Sequence, residues 1–137
     1  MSWDKSLVRL STYEVEVLQK RLAEIADRRA RAELALTVLI AEGEAEAANA
    51  RTSAEAGWYH IGFMEGLRAR KAEAQAQIDR LKLEEAGARE ALTEAFEEQK
   101  KYEQVSETLQ RAKAKERARI ETAQLDEIGL RRAAAGR

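Results

Sequence analysis

Apolar residues recur at alternating steps of three and four positions along the first third of the chain. A repeat of 3.5 residues keeps one stripe of an α-helix facing a partner helix. Seven of the ten positions in this first register are large aliphatic residues. The register comprises Val8, Ser11, Val15, Leu18, Leu22, Ile25, Arg29, Ala32, Leu36 and Leu39. The pattern predicts a helix over residues 4–49.

A second register with the same spacing begins at Leu67 and is richer in alanine, which lets two helix backbones approach closely. It predicts a second helix over residues 58–132 that folds back against the first. We expect Leu22, Ile25, Leu36, Leu81 and Leu92 to be buried between them. The alternative is one long helix that needs other chains. The register comprises Leu67, Lys71, Ala74, Ile78, Leu81, Glu85, Ala88, Leu92, Ala95, Gln99, Tyr102, Ser106 and Leu109, and continues weakly to Ile120.

The bend between the helices is predicted within residues 50–62, most strongly at 50–57. Thr52 and Glu55 fit a capping box, whereas Gly57 and Gly62 favour a later bend. A bend near residue 55 places residue 4 opposite residue 106, so residues after about 107 have no partner. The predicted fold is all-α: a long antiparallel two-helix coiled-coil hairpin with a projecting C-terminal helix, in one domain over residues 1–137.

Composition agrees with a coiled coil, since Ala, Glu, Leu, Lys and Arg supply 86 of 137 residues. The formal net charge is −1, with both signs mixed along the chain, which disfavours binding to nucleic acid. The chain has no cysteine, no apolar signal-peptide core and no apolar run of about 20 residues. We therefore expect a soluble intracellular protein without membrane insertion.

Two segments depart from this balance of charge. Residues 83–98 contain six glutamates and a single arginine, Arg89. Residues 111–137 contain eight Lys or Arg against four acidic residues, a net charge of +4. Both segments fit solvated helix faces, but an unpaired basic helix also fits a partner-binding segment, because isolated helices are marginally stable in water.

Catalytic chemistry is not indicated by the sequence. His60 is the only histidine, and without cysteine the chain cannot assemble a catalytic triad or a typical zinc site. A two-helix hairpin also lacks the concave pocket that paired catalytic carboxylates need. We predict a protein that is not an enzyme and has no metal or cofactor.

The bend region contains an unusual apolar cluster within ten residues. Packing across the bend is one interpretation, with His60 as an exposed residue. A two-helix bend buries little, however, so an exposed part of the cluster predicts a partner-binding surface. The cluster comprises Trp58, Tyr59, His60, Ile61, Phe63, Met64 and Leu67.

The stretch LVRLSTYEVEVLQKRLAEIADRRARAELALTVL, with Trp58, Phe63 and Leu67, resembles the FliJ family of the bacterial flagellar type III export apparatus. The resemblance implies an antiparallel coiled coil similar to the γ subunit of rotary ATPases. It implies that the terminal end enters the hexameric ring of the export ATPase FliI. It also implies that the bend engages the export gate protein FlhA, and that export chaperones bind.

Carried over residue by residue, the resemblance assigns Phe63, Leu67 and Leu39 to the gate surface. Glu42 and Glu46 depart from the family pattern there. With the cluster residues, the predicted gate surface is Trp58, Tyr59, Phe63, Met64, Leu67 and Leu39. The predicted ATPase-ring surface is Val8, Val15, Arg111, Lys113, Lys115, Arg117 and Arg119.

The resemblance also implies a cytoplasmic protein that is peripherally associated with the inner membrane through the export apparatus. We expect a monomer when the protein is free. Two alternatives remain open from the sequence: a stalk protein of a virulence type III secretion system, similar to YscO, and a structural coiled-coil tether that self-associates.

Overall fold

The protein folds into two packed helices, described for residues 2–136 in a computed structural model. Helix α1 spans Trp3–Ala50 and helix α2 spans Ala54–Ala135. The predicted all-α antiparallel hairpin is confirmed. Over the described residues, neither helix contains a stretch apolar enough to cross a lipid bilayer.

The connection between the helices occupies only residues 51–53. The Ser53 hydroxyl accepts a hydrogen bond from the Ala56 amide at 3.0 Å, which caps α2. The Thr52 hydroxyl instead donates to the Asn49 carbonyl at 2.7 Å, so the predicted Thr52–Glu55 capping box is wrong. Because Ser53 is the cap, α2 begins at Ala54, four residues earlier than predicted, and Gly57 and Gly62 continue the helix.

Both predicted registers are confirmed through Leu109, because every position in them up to there is buried or half-buried. The weak continuation of the second register to Ile120 is wrong, since Ile120 is exposed where α2 has no neighbouring helix. Leu22, Leu36 and Leu92 are half-buried, less covered than predicted, since a single neighbouring helix leaves the sides of each seam residue open to water. The best covered aliphatic side chains are those of Val15, Ile25, Leu67, Ile78 and Leu81.

The hairpin divides into two compact units. The inner unit comprises Glu16–Glu94. The terminal unit combines Met1–Val15 with Ala95–Arg137, of which residues 2–15 and 95–136 are described. The single domain over residues 1–137 stays a prediction.

The inner unit contains an ion-pair network across its seam. The Arg29 guanidinium donates to the Glu85 carboxylate, and Arg89 pairs with the same carboxylate at 3.1 Å. The side chain of Glu85 is only 9% exposed. The hydrogen bond from Arg29 lowers the pKa of Glu85 against the opposing effect of burial. Arg29 and Glu85 occupy seam positions of opposite helices, so this pair specifies how the two helices align.

The seam of the terminal unit combines the buried Val15 and Ala95 with polar pairs. The Ser106 hydroxyl donates to the buried Asp4 carboxylate at 2.8 Å, and the Gln99 amide donates to the Thr12 hydroxyl at 3.1 Å. Residue 4 therefore lies opposite residue 106, as predicted. From Arg111 to Gly136 every residue is exposed, which confirms the projecting C-terminal helix.

Candidate partner-binding surfaces

The first residues of α2 expose three large apolar side chains, which we call the tip surface: Trp58, Tyr59 and Ile61. Their exposed fractions are 65%, 69% and 67%. Together with Gly62 they line a shallow open pocket. Large aromatic side chains that remain in water on a folded protein are typical of partner-binding surfaces.

The other residues of the predicted gate surface lie closer to the seam. Phe63, Met64 and Leu39 are half-buried, and Leu67 is completely buried. The Arg70 guanidinium lies over the Phe63 ring, 5.8 Å from its centroid, so a cation covers part of this aromatic face. The structure therefore divides the predicted set into two exposed residues, Trp58 and Tyr59, and four residues at or beside the seam.

Two residues of this region are placed differently from the sequence-based expectation. His60 is half-buried and its Nδ1 atom is buried, so it is not the exposed residue that we expected. Ile61 belongs to the tip surface but is absent from the predicted site. Residues advance about 100° around a helix at each step, so in a continuous apolar cluster some side chains must face solvent.

In the terminal unit, the two predicted apolar contacts are seam residues. Val15 is buried and Val8 is half-buried. The exposed apolar side chains on this part of α1 are those of Trp3, Leu10 and Tyr13. Trp3 and Leu10 are seven residues apart and so share one helix face, a signal that the sequence contained and that our prediction missed.

The basic residues predicted to contact the ATPase ring are all exposed on α2. Arg111 pairs with Glu107, and Arg119 pairs with Glu116 at 2.7 Å. Over residues 2–136, none of the remaining three forms an ion pair; these three, which we call the unpaired basic group, are Lys113, Lys115 and Arg117. Within the described part of the chain, three of the five basic residues predicted to contact the ATPase ring are therefore exposed without an ion pair, all within positions 113–117.

Asp4 is a further polar residue that the prediction missed, although it lies one turn before Val8 in the first register. The hydroxyls of Ser2 and Ser106, together with the Gln110 amide, lower its pKa to about 2, while burial acts in the opposite direction. Asp4 is covered by its immediate neighbours in a seam only two helices thick. Its position at the start of α1 fits a structural role in holding the helix to α2.

Metal binding has no geometric support in the described residues. Between residues 2 and 136, no three histidine or acidic side chains come together in a way that could hold a metal ion.

One known protein family matches the part of the chain that contains both the tip surface and the unpaired basic group. A family model described as flagellar FliJ protein matches residues 5–137. The chain belongs to the flagellar FliJ family. The resemblance inferred from residues 7–39 and the bend cluster is thereby confirmed.

Relatives of similar length support the FliJ assignment. Flagellar FliJ proteins from two strains of Caulobacter vibrioides, NA1000 / CB15N and ATCC 19089 / CIP 103742 / CB 15, are each 54% identical to this chain over 134 residues. The alignments cover 98% of this chain and 96% of each relative. No solved structure gives a significant match. The tip surface and the unpaired basic group both lie within the range matched to the FliJ family.

Proposed function

We propose that this FliJ family member is a non-enzymatic component of flagellar type III protein export. In this proposal it links the export ATPase ring to the export gate protein and binds export chaperones. It acts in the cytoplasm and associates peripherally with the inner membrane through the apparatus. The observation that carries the proposal is the tip surface, because its three large apolar side chains remain in water on a chain of this family.

The tip surface is the proposed gate contact. Aromatic side chains supply large contact areas with few rotatable bonds, and they dominate binding energy at many protein interfaces. Phe63 and Met64 follow on the next turn of α2 and are half-buried, so part of each side chain is open to a partner. This arrangement supports a contact centred on Trp58, Tyr59 and Ile61.

The gate contact is tested by Trp58→Ala combined with Tyr59→Ala. We expect at least a tenfold loss of affinity for the purified export gate protein, because removing central aromatic residues commonly costs 2 kcal/mol or more. Leu83→Ala is the matched control, since Leu83 is an apolar side chain that is 76% exposed elsewhere in the inner unit. Equal affinity for the double variant and the control would contradict the proposal.

The unpaired basic group is the proposed contact with the ATPase ring. Its three cations belong to a helix segment whose side chains are all exposed, so they can approach an acidic channel lining without breaking contacts in the seam. Attraction between exposed charges is screened by salt, with a Debye length of about 10 Å at 0.1 M and about 3 Å at 1 M ionic strength.

The ring contact is tested by changing Lys113, Lys115 and Arg117 to glutamine. We expect weaker stimulation of ATP hydrolysis by the purified export ATPase, with a smaller difference from the wild type at high salt. Changing Arg111 and Arg119 to glutamine is the control, because these two side chains already pair with glutamates on their own helix. Stimulation that survives both the triple change and high salt would remove this segment from the mechanism.

A further inference from the structure

Gly43 lies inside α1 at a buried position of the seam and leaves no room for a side chain. A Cβ atom built on Gly43 would lie 2.6 Å from Cδ2 of Leu67 on the opposite helix. The best distance between non-bonded carbon atoms is about 3.5–4.0 Å. The backbone of Gly43 has no positive φ, so glycine is required here by packing and not by backbone conformation.

The overlapping atom is the end of the Leu67 side chain, so the contact is relieved by a new Leu67 rotamer or by a shift of the helix. The Leu67 side chain is completely buried, with an exposed fraction of 0%. Buried side chains are closely packed in single rotamers, so relieving an overlap shifts the backbone or forces an unfavourable rotamer. A methyl group added at Gly43 therefore changes the Leu67 rotamer and the packing around it, or displaces α2 at Leu67.

Between the Gly43–Leu67 contact and the bend, the two helices contribute side chains of different size to the seam. Toward the bend, α1 contributes the half-buried Ala47 and Ala50, whereas α2 contributes the half-buried Phe63 and Met64. Leu67 and Trp58 belong to one uninterrupted helix and are nine residues apart, about 13 Å along the axis. A shift of α2 at Leu67 is thus transmitted to the turns that carry the tip surface.

We propose that Gly43 and Leu67 are positioning residues for the tip surface. Their contact fixes the distance and rotation of α2 against α1, and so fixes how Trp58, Tyr59 and Ile61 are presented to the gate protein. Leu67 supports binding without touching the partner, which differs from the direct contact that the family resemblance implies. This inference rests on the proposed gate contact.

The test compares two glycine-to-alanine changes in the full-length chain. Gly43→Ala and Gly66→Ala make the same change inside a helix and gain the same helix propensity. A Cβ on Gly66 would have no atom within 4 Å, so Gly66→Ala is the matched control. We expect Gly66→Ala to bind the purified gate protein as the wild type does and Gly43→Ala to bind at least tenfold more weakly, with helicity preserved by circular dichroism. Wild-type affinity for Gly43→Ala would overturn the inference.

A rescue variant separates positioning from direct contact, even if Gly43→Ala alone loses helicity. Leu67→Ala removes the atoms that a new methyl group at position 43 would meet, so the overlap disappears and one of the three lost carbon atoms is replaced. If Leu67 positions the tip, Gly43→Ala with Leu67→Ala binds the gate protein more tightly than either single variant. If Leu67 touches the partner, the double variant binds no better than Leu67→Ala, and the inference is wrong.

The proposed function and this inference can fail separately. Trp58→Ala with unchanged gate affinity would refute the tip as the gate contact. A loss of affinity with Trp58→Ala, together with wild-type affinity for Gly43→Ala, would refute only the positioning role.

Discussion

The two units of the hairpin use the same seam register with different chemistry. The inner unit is held by large aliphatic side chains, among them Ile25, Ile78 and Leu81. Among its described residues, the terminal unit buries only one large aliphatic side chain, Val15, and adds hydrogen bonds from Ser106 to Asp4 and from Gln99 to Thr12. Burying a large aliphatic side chain contributes about 1.5–3 kcal/mol, whereas a hydrogen bond contributes about 0.5–1.5 kcal/mol net.

Heptad spacing therefore determines which positions face the neighbouring helix, but it does not determine how much those positions stabilise the packing. Stability varies along a folded chain, and segments with few buried apolar contacts open first. We therefore expect the inner unit to keep the tip surface in place under conditions in which the terminal unit already opens locally.

The largest effect is expected for Ile25→Ala in the inner unit. Ile25 is 1% exposed, and truncating a buried isoleucine to alanine costs about 2–5 kcal/mol, here toward the lower value because the seam is thin. Urea unfolding followed by circular dichroism measures the change. Leu34→Ala is the control, since Leu34 is 64% exposed and its truncation should change the free energy of unfolding little. Equal losses for both variants would mean that the inner seam does not carry the stability.

A smaller loss is expected for Glu85→Ala, which leaves Arg29 in the seam without its carboxylate across the helices. The melting midpoint should fall by less than it does for Ile25→Ala. Glu73→Ala is the control, because Glu73 pairs with Arg80 on the surface at 3.2 Å and exposed pairs contribute little. A Glu73→Ala variant destabilised as much as Glu85→Ala would show that seam position does not matter for these charges.

Acid should weaken the terminal unit through Asp4. Its pKa is about 2 in the folded chain and 3.8 in the absence of these interactions, so the ionised carboxylate stabilises the fold above about pH 4. This stabilisation is lost progressively as the pH falls from about 4 toward 2. An NMR titration of the Asp4 carboxyl should give a midpoint near 2, and Ser106→Ala should raise it. Thr108→Ala is the control on the exposed side of α2, and a wild-type midpoint near 3.8 would contradict the hydrogen-bonded geometry.

The smallest effect is expected when the Thr12 and Gln99 pair is replaced by Thr12→Val with Gln99→Met. Exchanging both hydrogen-bonding partners for apolar groups of similar shape is nearly neutral or stabilising, within about 1 kcal/mol. Gln99→Met alone leaves the Thr12 hydroxyl without its donor and should be less stable than the double variant. If the double variant is the less stable of the two, the polar seam contributes more than its hydrogen bonds suggest.

The spacing of the sequence predicted the seam correctly, including polar positions. Ser11, Glu85 and Gln99 were assigned to the seam by position alone, and all three are covered. The exact bend could not be predicted, because Thr52 and Ser53 are adjacent residues that can both cap a helix. The choice between them depends on backbone geometry that sequence spacing does not specify.

The candidate site was predicted less well, for a physical reason that particular residues show. Leu67 begins the second register, which places it in the seam, yet the family resemblance assigned it to a partner contact. Its complete burial agrees with the register. Gly43 follows Leu39 by a step of four and so also continues the first register. Its requirement for glycine, however, depends on how close Leu67 comes, which only the packed structure reveals.

Because the seam of the inner unit follows a seven-residue repeat, this unit can be lengthened by whole heptads. Seven residues inserted into α1 near Ala32, with seven into α2 near Ile78, return every following side chain to the same helix face. Each such paired insertion lengthens this unit by about 10 Å. Within a coiled coil of this kind, the length of the inner unit can change by discrete increments while its seam keeps the same pairing of faces.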